Sequence, residues 1–148
     1  MSTNWRQRDQ EHVEKLLAAF RPSPAPSTNW RGYVAGNRLP VAANDPKGDP
    51  QNPVMFLMAR LEYGEITGCF GGDPFREGRL SLAVYQELGA GDAKAVALGG
   101  ILDQLKATLA ADSGTITWMP DLAEPAKEGQ QRGTPYWVSG ESIPFAAG

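Results

Sequence analysis

Residues 80–105 read LSLAVYQELGAGDAKAVALGGILDQL, and the way this stretch divides decides the fold. Its first part alternates. Leu80, Leu82 and Val84 fall on one side of an extended chain, and Ser81, Tyr85 and Glu87 on the other. Gly89 and Gly91 then break the strand, and Asp92 supplies an N-cap. From there Leu98, Ile101, Leu102, Leu105 and Leu109 recur at helical spacing and predict a helix over 93–110. Gly99 and Gly100 lie inside it, each costing up to about 1 kcal/mol relative to alanine. A weakened helix explains them more simply than a close approach by a neighbour.

A glycine turn between strand and helix invites a phosphate-binding reading. A P-loop needs GxxxxGK followed by Ser or Thr, and the spacing after Gly89 and Gly91 fails. A dinucleotide fingerprint needs a third glycine where Lys94 stands, and a parallel βαβ unit. Asp92 also puts a negative charge where phosphate would sit. The stretch therefore reads as a turn and an N-cap.

Working outward, VMFLMARLEYGEI (54–66) precedes this stretch with a second strand pattern. Met55, Leu57, Leu61 and Tyr63 share one face, with Val54, Phe56 and Met58 on the other, so a central strand is expected. TGCFGGDPFREG (67–78) reads as a glycine-rich connection, and the two strands form a long antiparallel hairpin. Upstream, Val13, Leu16, Leu17 and Phe20 mark a first helix with Asp9 as its expected N-cap. Pro22, Pro24 and Pro26 end that helix, and the segment 21–32 reads as extended and semi-rigid behind a flexible N-terminal arm. A short strand is expected at Val41–Ala43, within a loop rich in Pro and Asp. Downstream, GTITWMPDLAE (114–124) reads as one strand and PAKEGQQRG (125–133) as a polar loop. TPYWVSGESIPFAA (134–147) reads as a last strand bulged at Gly140. The order is α-β-β-β-α-β-β. This is an α+β domain over 1–148, an antiparallel or mixed β-sheet with two helices packed on one side.

The composition narrows the function. A net charge of −3 and a pI near 5.1 exclude a broad DNA-binding face. One cysteine excludes an internal disulfide and a cysteine metal cluster. The N-terminus carries no apolar signal core and no apolar run is long enough for a bilayer, so synthesis in the cytoplasm is expected. No catalytic, cofactor or metal set emerges. The lone histidine, His12, is expected on the exposed side of the first helix, and Cys69, between Gly68 and Phe70 with Arg76 as the one local base, is expected to be an inert thiol. Asp45, Asp49 and Asp73 lack EF-hand spacing and read as turn formers. Trp118, Tyr136 and Trp137 read as core. Trp5, Trp30, Phe70 and Phe75 fall in tails and loops, where they either cover the sheet or meet a partner.

The run REGRLSLAVYQELGAGDAKAVALGGILDQLKATL (76–109) resembles bacteriophage tail terminator proteins, which carry a strand, a G-x-G turn and an alanine-rich helix in this order. The amphipathic first helix, the buried strand VMFLMARLEYGE (54–65) and the closing SIPF (142–145) extend the resemblance over 9–20 and 40–146. PSPAPSTNWRGY (22–33) and EPAKEGQQRG (124–133) have no counterpart in it.

The resemblance implies a structural virion protein rather than an enzyme. Its subunits form a ring, commonly a hexamer, that caps the tail tube, ends tube growth and joins the tail to the head connector. DNA passes through the centre. The implied partners are other copies of the chain, the tail tube protein, the head–tail connector protein and genomic DNA held without sequence preference. The implied location is the tail or neck of a virion. No cofactor is implied. Within that reading the 64–78 connection is an expected interface, with Phe70 and Phe75 as anchors and Arg76 and Glu77 pairing with a neighbour. Trp30 and Arg31, in the second STNWR copy, are expected to clasp an adjacent subunit. Another connector or tube subunit, or a small phosphate-binding protein or enzyme, are the alternatives.

Overall fold

The computed structural model describes residues 4–22, 30–34, 55–68, 72–87, 93–130 and 136–148. Among these, helix α1 (Trp5–Ala19) is followed by strands β1 (Trp30–Val34), β2 (Met55–Thr67) and β3 (Phe75–Glu87). Helix α2 (Ala93–Ala111) and strands β4 (Ile116–Trp118), β5 (Glu124–Gln130) and β6 (Tyr136–Ala147) complete the order. The strands make one mixed sheet in the order β1-β2-β3-β6-β4, with β5 also on β6. Only β1 runs parallel to its neighbour, β2; the other pairings are antiparallel.

Register assigns the faces. Leu57 pairs with Val84 and Val84 with Ser139; Leu61 pairs with Leu80 and Leu80 with Ile143. Paired residues in an antiparallel ladder point the same way. Leu57, Ala59, Leu80, Leu82, Val84, Ile143 and Phe145 therefore form one buried face. Both helices pack on it, α1 through Val13, Leu17 and Phe20, and α2 through Ile101, Leu102, Leu105 and Leu109. Each such side chain contributes about 1.5–3 kcal/mol when fully buried. The expected α+β architecture, with helices on one side of the sheet, is the one observed.

The second face changes along its length. Met58, Tyr85, Tyr136 and Val138 are buried at one end. At the other end Glu62, Glu65, Phe75 and Glu77 are exposed.

Several boundaries differ from expectation. The N-cap of α1 is Asn4, whose side chain accepts from Gln7 N at 2.9 Å. Asp9 lies inside the helix, which begins about a turn before it. A strand occurs at 30–34, overlapping the end of the segment 21–32 read as extended, while the expected strand at 41–43 and the GAGD segment lie outside the described residues. The segment 114–124 is not one strand: Pro120–Leu122 form a 3-10 turn after β4. Residues 124–130 are strand β5 rather than loop, because they pair with β6 despite their polarity. The irregularity expected at Gly140 sits on β5 instead, between Pro125 and Lys127. The 64–78 connection is shorter than read, since β2 runs to Thr67 and β3 begins at Phe75.

Candidate interaction site

The hairpin β2–β3 ends beside the first turns of α1, and here the sheet's pleat divides the residues expected at an interface. Phe75 and Glu77 point to the second face and are exposed, Phe75 by 45%. Ile66, opposite Arg76, is 42% exposed. Arg76 points to the helix face and is only 3% exposed. At this end of the hairpin the structure thus exposes Phe75 and Glu77 on the second face and Ile66 on the helix face, and it buries Arg76. Trp30 and Arg31 begin β1, and Phe70 lies outside the described residues.

Arg76 is held by Asp9, which is 2% exposed. Its Nε donates to Asp9 Oδ2 and its Nη2 to Oδ1, each at 2.7 Å. Tyr63 Oη donates to the same Oδ2 at 2.9 Å, and Arg76 Nη1 donates to the Pro74 carbonyl at 3.1 Å. Trp5 closes the group. Its ring meets Tyr63 edge-on at 5.1 Å, and the Arg76 guanidinium lies 5.1 Å from its centroid. Tyr63 in turn meets Phe145 edge-on. Outside this group Arg8 bonds Asp73 just before β3.

The electrostatics follow from this geometry. The hydrogen bonds to Asp9 hold the Arg76 guanidinium above its ordinary value, against the opposing effect of burial. Burial first, then the bond to Asp9 and its charge, push the Tyr63 phenol well above the usual tyrosine range. Both Asp9 carboxylate oxygens are engaged, so the side chain ties α1 to β3 through Arg76 and to β2 through Tyr63.

A second polar node joins α1 to the end of α2. His12 Nε2 lies 2.7 Å from Asp112 Oδ2, which also accepts from Trp118 Nε1 at 2.8 Å. His12 is therefore partly buried and bonded, not solvent-facing as its sequence position suggests. Burial raises the Asp112 carboxyl, but the bonds from His12 and Trp118 outweigh it and hold the group below its ordinary value. A third tie, Lys106 Nζ to Glu141 at 3.0 Å, links α2 to β6.

The hairpin also carries a bulge at Gly64, between Tyr63 and Glu65, with Gly78 opposite. A Cβ on Gly78 would fall onto the Glu62 carbonyl oxygen and lie 2.9 Å from Tyr63 Cα. The backbones approach closely only because Gly78 has no side chain. Beside the bulge a shallow depression of about 440 Å³ is lined by Glu62, Glu65, Glu77, Arg79, Met119 and Pro144, among others. Three carboxylates open to water make it a negative surface. Among the described residues no group of His, Cys, Asp and Glu is arranged to hold a metal. No described helix is long and apolar enough to cross a membrane.

Comparison with protein-family models and with curated proteins returns no match.

The sequence held two signals for the Asp9–Arg76 pair. Asp9 lies four residues before Val13, on the line of the apolar stripe, and so faces the sheet. Arg76 shares its parity with Leu80, Leu82 and Val84, and so points inward with them.

Proposed function

We propose that the chain is an assembly protein of the tail-terminator kind, a subunit of a ring that caps a tail tube and joins it to the head connector, with DNA passing through. The observation that carries this reading is the end of the β2–β3 hairpin, where Phe75 on the second face and Ile66 on the helix face both stand exposed at the tip of the two strands. Large apolar side chains in such a position lose water only when another surface covers them. The order of strand β3 and helix α2 and the sheet with its helices on one side agree with the resemblance. In a ring each copy offers two different patches, and the hairpin end serves as one of them. The carboxylates lining the bulge give the subunit a negative surface, which suits a channel that DNA slides through without adhering.

The experiment is tube capping. Purified chain is added to polymerising tail tube protein, and tube length is read by electron microscopy. Shortened tubes with a ring of density at one end support the proposal. Tubes of unchanged length without bound chain refute it. A deletion of 68–76 is a poor companion test, because it also removes the buried Arg76.

A further inference from the structure

The two halves of α1 are held to the sheet by different means. The second half carries the apolar anchors Val13, Leu17 and Phe20, with Leu16 packed beside them. The first half is held by polar and aromatic ties: Trp5 on Tyr63, Arg8 on Asp73, Asp9 on Arg76 and Tyr63, and His12 on Asp112. Asp73, Arg76, the Tyr63 hydroxyl and, at the end of α2, Asp112 are groups that water solvates well once reached, and the Trp5–Tyr63 ring contact is the one apolar part of this hold.

We propose that residues 5–12 form a strap that lifts from the sheet as one unit while the rest of the domain stays folded. Lifting bares the Arg76 guanidinium and the Tyr63 hydroxyl at the hairpin end. Separating an apolar face exposes area that must be rehydrated, whereas separating an ion pair returns both charges to water and recovers their solvation. The bidentate Asp9–Arg76 geometry gives the closed strap one defined position without making it costly to open. Val13 marks the point where lifting stops, because the next turns would have to expose Val13 and Leu17. The strap goes beyond the assembly reading and stands without it. If that reading holds, the strap controls the shape of the hairpin end that carries Phe75.

The test is native-state hydrogen exchange on the full chain, with and without low urea, in wild type and in Asp9→Asn. In wild type, amides 8–12 are expected to exchange through a single opening with a shallow urea slope, while those of Leu80–Val84 exchange only with global unfolding. In Asp9→Asn, amides 8–12 are expected to approach unprotected rates while Leu80–Val84 keep protection above about a thousandfold. Amides 8–12 protected to the global limit in wild type would overturn the strap. So would an Asp9→Asn chain that loses its core protection or fails to fold, since either shows that the first turns do not separate from the core. Neither readout depends on tube capping, so the strap and the assembly reading fail independently.

Discussion

Arg76 and Asp9, 67 positions apart in the chain, meet through two 2.7 Å hydrogen bonds in a site almost closed to water. The pair fixes α1 against β3. Removing one partner alone leaves a charge facing the interior, a change that costs about 3–5 kcal/mol where the charge cannot escape. Asp9→Leu is expected to destabilise by less than that ceiling, because the strap lets Arg76 reach water. The double change Asp9→Leu with Arg76→Met is expected to recover most of the loss. Urea denaturation of the four-member cycle reads both results.

Two glycines give opposite outcomes. Gly78→Ala pushes a methyl into the backbone of Glu62 and Tyr63 and is expected to destabilise by more than about 1 kcal/mol. Gly100 sits mid-helix with open space where its Cβ would stand, so Gly100→Ala is expected to stabilise by about 0.5–1 kcal/mol. Thermal unfolding of both variants checks the pair. The Gly100 result also decides between the two readings of the Gly99-Gly100 step, since a glycine there for close approach would not tolerate a methyl.

Alkaline pH acts on the buried phenols. Tyr63 is raised by burial and by its bond to Asp9, and Tyr85 by burial. A phenol raised in the fold holds its proton more tightly there than in the unfolded chain. Its stabilising contribution is fully present below the ordinary value of about 10 and falls as pH rises from there toward the folded value. Unfolding free energy is expected to decline above about pH 10, and Tyr63→Phe is expected to flatten part of that decline.

Acid acts through Asp112, which is depressed by the bonds from His12 and Trp118. A carboxyl lowered in the fold contributes stability above its ordinary value of about 3.9, and that contribution is lost as pH falls through the folded value. Asp112→Asn is expected to lose stability near neutral pH and to depend less on pH in the acid range. Denaturant melts across that range read the difference.

The parts of the fold that rest on periodicity were legible in the sequence. The alternation at Leu80, Leu82 and Val84 and the stripe at Ile101, Leu102, Leu105 and Leu109 gave the right buried faces, because burial of apolar side chains sets both. Strand β5 was not legible. Its residues Glu124–Gln130 are polar and hold no apolar alternation, and they become a strand only by pairing with the edge of β6. Ser139 and Trp137 anchor that edge by donating to Glu128. The polar ties were missed for a different reason. Local preference makes Asp9 look like a cap and His12 like a surface residue, because their partners Arg76 and Asp112 lie far away in sequence. The exposed end of the hairpin was partly visible, since Phe75 was singled out; Ile66 was hidden within an apolar strand pattern.

In the proposed function the chain works through the exposed end of its hairpin. The most direct measurement compares wild type with Ile66→Ser/Phe75→Ser for stability in urea and for binding to assembled tail tubes by co-sedimentation. Both side chains are already exposed, so stability is expected to change by no more than about 0.5 kcal/mol, while tube binding is lost. A variant as stable as wild type that still sediments fully with the tubes would contradict the claim.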